Sequence, residues 1–198
     1  MATKLFLRAS TINGISNYYD MLPVAGSSTT EEDVVTAVAS GTEIQWTVTE
    51  GRASVAWISG RAPVGGFTLT TTDVEIRAVE SGMGVNAGGR YRIFKRTLAG
   101  IETELLGGPF DDGVEFDTSA ATMSWVGNPT DTVFLEDDRI LVKFYITNIG
   151  TMGAGNCSLR FDGDELGARD SFFNIAETVT FKPEGGAATL PSYGFILD

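Results

Sequence analysis

Apolar and polar side chains alternate along much of this chain, most regularly from Arg139 to Thr147, where Ile140, Val142, Phe144 and Ile146 occupy every second position. That is the period of a β-strand with one face on a core. Trp46 and Val48, Val55 and Trp57, Val74 and Ile76, and Cys157, Leu159 and Phe161 repeat it, each run closed by Gly, Asn, Asp or Pro. No run of helical period and ordinary helix length competes with these.

The pattern predicts strands over Lys4–Arg8, Glu43–Thr49, Ala53–Ser59, Phe67–Glu80 with a break near Thr71-Thr72-Asp73, Arg90–Leu98 and Ile101–Leu106. It continues with Val114–Asp117, Met123–Val126, Val133–Leu135, Arg139–Thr147, Cys157–Asp162 and Thr178–Lys182. Ala99-Gly100 supplies the turn of one hairpin. The stretch Ala9 to Thr42 is weaker in pattern: Thr30-Glu31-Glu32-Asp33 suits a helix cap, but Val34, Val35, Thr36 and Val38 are β-branched and suit a strand equally.

About ten or more short strands, each with one apolar face, close most naturally as an all-β, two-sheet antiparallel sandwich. A jelly-roll-like connection with an irregular N-terminal region is the expectation. The divisions expected are 1–42, an N-terminal strand and arm-like region; 43–184, the β-sandwich; and 185–198, a C-terminal docking tail, all in one structural domain. No fixed-period repeat suggests a propeller or solenoid.

Composition narrows the function. The chain carries 26 acidic against 14 basic residues, a formal charge of −12, which disfavours phosphate backbones and anionic lipid as partners. The densest basic cluster, Arg90, Arg92, Lys95 and Arg96, falls on one predicted strand and leaves room for a positive stripe facing an acidic neighbour. No apolar run approaches the ~20 residues of a membrane span, and the apolar stretch near Met1 is too short for a signal segment, so assembly in a cytoplasm is expected. Cys157 is the one cysteine, which excludes an intramolecular disulfide, and its place in an alternating set makes it a small core residue.

With no histidine, the Ser-His-Asp and Cys-His arrangements and imidazole metal sites are absent. Gly82 to Gly89 is glycine-rich but joins two predicted strands and opens no helix, so it reads as a hairpin loop and not a phosphate cradle. Three acidic clusters remain: Asp111, Asp112, Glu115 and Asp117; Glu136, Asp137 and Asp138; and Asp162, Asp164 and Glu165. Asp111, Asp112, Asp162 and Asp164 are the candidate calcium ligands, since loop carboxylates supply hard oxygens, but no run matches an EF-hand and acids beside glycine commonly just form turns. No cofactor is expected. Trp46 and Trp57 share faces with apolar neighbours and read as core, whereas Trp125, close to Gly127-Asn128-Pro129, reads as more open.

Thr3 to Arg8 at the start, Asp138 to Tyr145 late, and Leu159-Arg160-Phe161-Asp162-Gly163 after it together resemble the small β-sandwich virion proteins of tailed bacteriophages. The resemblance implies a noncatalytic structural protein on the capsid surface of the virion, a decoration or cement protein bridging the major capsid protein and sister subunits. It further implies a homo-oligomer, with trimers at local threefold positions. Tyr18, Tyr19, Met21 and Leu22 near the start, and Tyr193, Phe195 and Ile196 near the end, are the candidate partner contacts; each also suits closure of the chain's own core. The alternative is a tail- or fibre-associated module that binds a receptor or carbohydrate through its loops.

Overall fold

The structure, a computed structural model, describes residues 2–8, 15, 18–24, 32–38, 44–45, 56–109, 113–149, 155–161 and 171–182. These hold fourteen strands and no α-helix. The strands are β1 (Thr3–Leu7), β2 (Tyr19–Leu22), β3 (Glu32–Val38), β4 (Ile44–Gln45), β5 (Ala56–Ser59), β6 (Phe67–Leu69) and β7 (Thr72–Glu80). The rest are β8 (Ala87–Arg96), β9 (Glu102–Pro109), β10 (Ala121–Gly127), β11 (Thr132–Phe134), β12 (Arg139–Asn148), β13 (Gly155–Phe161) and β14 (Phe172–Ile175). The fold is all-β and sandwich-like, as expected.

Ten strands follow one hydrogen-bonded path, β3-β13-β7-β14-β1-β2-β5-β12-β8-β9; β10 pairs with β7, and β4 with β12. Two long strands organise this path because each serves several partners. One edge of β7 is shared by β14 along Thr72 to Glu75 and by β13 along Arg77 to Glu80, and β10 takes the other. Likewise β8 runs along the whole of β12, while β5 and β4 divide its second edge. The path turns back on itself, so that Tyr91 of β8 meets Trp125 of β10 at 4.3 Å and Trp57 of β5 meets Phe161 of β13 at 4.9 Å. These ring contacts are the interior of the sandwich.

The alternation seen in the sequence is what points the core inward. Ile140, Val142, Phe144 and Ile146 of β12 are all fully buried, as are Val74 and Ile76 of β7. Trp57 and Cys157 are core residues, as predicted. A second, smaller cluster forms on the outer face of the same layer: Ala56, Ile58 and Leu141, covered by Ile15, Tyr18 and Phe94. The small sheet β6–β11 joins the main core through Leu69, Phe67 and Phe134, the last two stacked at 4.9 Å.

Several local expectations are corrected. β2 and β5 run parallel, the one departure from antiparallel pairing among the described strands, and it is possible because a long stretch of chain crosses over between them. The opening strand is present as β1, and within the weakly patterned region that follows, β2 pairs with both β1 and β5. The predicted strand at Val114–Asp117 contributes only an isolated bridge from Glu115 to Gly88, and Thr178–Lys182 only a bridge from Lys182 to Arg61. The Ala99-Gly100 turn is a three-residue loop, in which Gly100 donates to the Thr97 carbonyl at 2.9 Å and takes a φ of 83°. A residue in that region costs least as glycine. Of Glu43–Thr49 only Ile44 and Gln45 lie within the described residues, and Trp46 lies outside them.

Candidate functional site

A dense polar network lies on the outer face of β8, β9 and β12. Antiparallel registry sets Lys143 beside Arg92, and Arg96 beside Glu102, so alternate outward positions bring cations and an acid together. Glu102 accepts from Lys143 Nζ at 2.6 Å, from Arg96 at 3.0 Å and from the Tyr18 hydroxyl at 2.5 Å. Lys143 lies 4.6 Å from the Phe94 ring, and the Arg96 guanidinium 5.5 Å from the Tyr18 ring. Burial alone would push the Glu102 carboxyl up; the hydrogen bonds from Lys143 and Tyr18, with the charges of Lys143 and Arg96, outweigh it and hold the group below its usual range. Tyr18 is pushed up to about 12, by burial first and by the neighbouring Glu102 second. Chemically this is a brace, with each ionised group holding a segment in place.

A second brace closes the turn from Leu135 to Asp138. Asp138 is buried, and its Oδ2 accepts from the Leu135 N–H at 2.8 Å while Lys95 Nζ stands 3.4 Å away. Asp137 takes a φ of 68° there and pairs with Lys182 at 3.0 Å and Arg61 at 3.6 Å. The hydrogen bond from Lys182 is the main cause that holds the Asp137 carboxyl below its ordinary value. This cluster of Glu136, Asp137 and Asp138 is therefore engaged with cations on the same chain.

The other predicted positions divide between core, surface and residues not described. The calcium candidates Asp111, Asp112, Asp162 and Asp164 all lie outside the described residues, as do Tyr193, Phe195 and Ile196. Among the described residues no three acidic or sulfur side chains converge to hold a metal ion. Tyr19 and Met21, offered as partner contacts, are 5% and 0% exposed. Tyr19 stacks on Trp57 at 5.0 Å, so Tyr19 and Met21 both pack in the chain's own core. Leu22 is half-buried opposite Phe6, and Tyr18 is half-buried in the brace. Trp125 is half-buried and so more open than the fully buried Trp57, as expected, with Tyr91 packed against it. Cys157 is inert: burial, then the nearby Glu80, pushes its thiol up to about 12.

Sequence reading missed Glu80. It ends β7 at an inward position, 2% exposed, against the segment that carries Glu115 and Asp117. The available signal was its continuation of the inward set Val74, Ile76 and Ala78.

No protein-family model matches the chain, and no curated protein matches it. Solved structures match in fold. A CocE/NonD family hydrolase from Staphylococcus aureus aligns at 11% identity with a TM-score of 0.55, covering 88% of this chain and 36% of that one. An aminopeptidase from a marine sediment Thaumarchaeota archaeon aligns at 9% identity with a TM-score of 0.58, again covering 88% and 36%. An α-amino acid ester hydrolase aligns at 10% identity with a TM-score of 0.55, covering 90% and 36%. The chain thus spans little more than a third of the length of each, and what it shares with them is the β-fold.

Proposed function

We propose that this chain is a noncatalytic structural protein of a tailed-bacteriophage virion, acting as a capsid decoration (cement) protein that bridges major capsid protein and sister subunits. The observation that carries the reading is where large apolar side chains remain on a braced surface. Leu98 and Ile101, 73% and 64% exposed, stand on the tip of the β8–β9 hairpin, while Val64, Val133 and Leu135 are exposed at the small sheet β6–β11. Rigid tips and a small sheet bearing aliphatic side chains suit contact with a neighbour, since little side-chain or backbone freedom is lost on docking.

The electrostatics support the same reading. Glu102, Asp137 and Asp138 each brace a strand or turn, and the Cys157 thiol is held neutral in the core. The activities named for the structural neighbours are not carried over, since the likeness is one of fold at about a tenth identity. The resemblance that implies a virion protein also implies an oligomer.

Purified particles test it. Mass spectrometry and labelling should find copies in the hundreds on heads, and particles lacking the protein should lose resistance to heat and low salt. Leu98→Asp with Ile101→Asp should weaken rebinding to stripped heads. Intact but non-adsorbing particles, with a few copies on tails, would replace this reading by that of a receptor- or carbohydrate-binding module.

A further inference from the structure

Glu80 sits where the sandwich expects an apolar side chain. Its Oε2 accepts from the Ala87 N–H at 3.1 Å, across the hairpin that joins β7 to β8. Its Oε1 is buried and meets no hydrogen-bond donor among the described residues. What it faces is the carboxyl of Glu115, and the charges that reach it, from Glu115 and Asp117, are both negative. Cys157, its partner across the β7–β13 ladder, is a neutral thiol.

The segment bearing these acids is fastened to the hairpin by backbone bonds. Phe116 donates to the Ala87 carbonyl at 2.8 Å and Glu80 donates to the Asp117 carbonyl at 2.9 Å, while Glu115 bridges to Gly88 and the Phe116 ring is buried. Two facing carboxylates with no cation between them among the described residues repel in a poorly solvated site, whereas one proton turns the repulsion into a short, strong hydrogen bond.

We infer that Glu80 keeps its proton and donates it to the Glu115 carboxyl, forming an acid-strengthened clasp, which fastens the segment from Gly113 to Ala120 onto the β7–β8 hairpin and loosens when Glu80 ionises. Glu80 is shifted above the ordinary glutamate range, chiefly by burial. A raised carboxyl contributes stability that is fully present below its unfolded value and is lost as pH rises through the folded value. The clasp is therefore tightest in mild acid and slackens toward neutral pH. The segment it holds connects β9 to β10, so proton release would free one end of the sandwich without unfolding β12.

Glu80→Gln tests this, because the amide keeps the shape and the acceptor for Ala87 while offering a permanent donor to Glu115. Its Tm at neutral pH should rise above the unsubstituted protein by about 2–8 °C, with the difference closing in mild acid. Glu115→Gln should behave alike, and the double variant should gain nothing over the better single one. Infrared difference spectra of the unsubstituted protein against Glu80→Gln should show a protonated carboxyl band persisting above the usual glutamate range. A lowered Tm for both single variants at neutral pH, or a missing band, overturns the proton. Stabilisation of the unsubstituted protein by calcium alone, lost in both variants, would mean that the pair holds a cation instead.

Discussion

Tyr18 donates its hydroxyl to Oε1 of Glu102 at 2.5 Å across a sequence separation of 84 residues, tying the segment before β2 to the first residue of β9. The contact places an aromatic side chain over Ile58 and Leu141, on a face that β-alternation alone would leave to solvent. Tyr18→Phe keeps the ring and removes one hydrogen bond to a charged acceptor, at a cost of about 1.5–3 kcal/mol in urea unfolding. The contribution should vary with pH at both ends. Glu102, held low, contributes above its ordinary value and loses this as pH falls through its lowered one. Tyr18, held high, contributes below its ordinary value and loses this as pH rises through about 12. Amide exchange at Ile15 and Tyr18 should accelerate at both extremes, and the acid limb should vanish in Glu102→Gln.

Ser171 is the knot where β7 passes from one partner strand to the other. Its Oγ donates to the Arg160 carbonyl at 2.6 Å and accepts from the Arg77 N–H at 2.9 Å, while its carbonyl accepts from Leu7 at 2.9 Å. Ser171→Ala strands one buried donor and one acceptor, so unfolding by urea should report a loss of about 1–3 kcal/mol. Ser171→Thr keeps the hydroxyl and should recover part of it if the extra methyl is accommodated.

Asp138 is an acid that the sequence groups with Glu136 and Asp137 as one surface cluster, yet it is buried. Its Oδ2 holds the Leu135 N–H and stands near Lys95. Asp138→Asn keeps an acceptor and loses the charge, while Asp138→Ala leaves the N–H without its acceptor. The alanine variant should therefore be less stable than the asparagine one by about 1–3 kcal/mol, read from denaturant midpoints at equal slope.

How far the sequence reaches depends on how local each cause is. β12 was legible because Ile140 to Ile146 alternate over a long run, and every one of those inward side chains is buried. β14 was not: Phe172-Phe173-Asn174-Ile175 is four residues long, and its neighbours on the sheet, β1 and β7, are remote in sequence. Val179 reads like a strand residue but serves as a core plug, its N–H bonded to the Thr3 hydroxyl and not to a ladder. Among candidate sites, Glu115 and Asp117 stood out as acids near a glycine, but Glu80 did not, since pairing across the hairpin is what brings it to them. A charge at an inward position of an alternating run is the signal to look for.

Trp125 and Gly127 provide a test of packing at the mouth of the sandwich. A Cβ on Gly127 would fall 1.6 Å from Cη2 of Trp125, far inside van der Waals contact, and the atoms it meets are the ring itself. The indole would have to swing off the Tyr91 ring, now 4.3 Å away, to make room. Overpacking of this kind costs about 1–3 kcal/mol, and an aromatic pair forfeits about 0.5–1.5 kcal/mol of that sort of contact when parted. Gly127→Ala should accordingly lower the denaturant midpoint and red-shift the tryptophan emission, as one indole moves toward water. Gly82→Ala is the control: among the described residues nothing lies within 4 Å of its Cβ position, so its emission should match that of the unsubstituted protein. Equal emission from Gly127→Ala would mean that the indole does not occupy this place over β10.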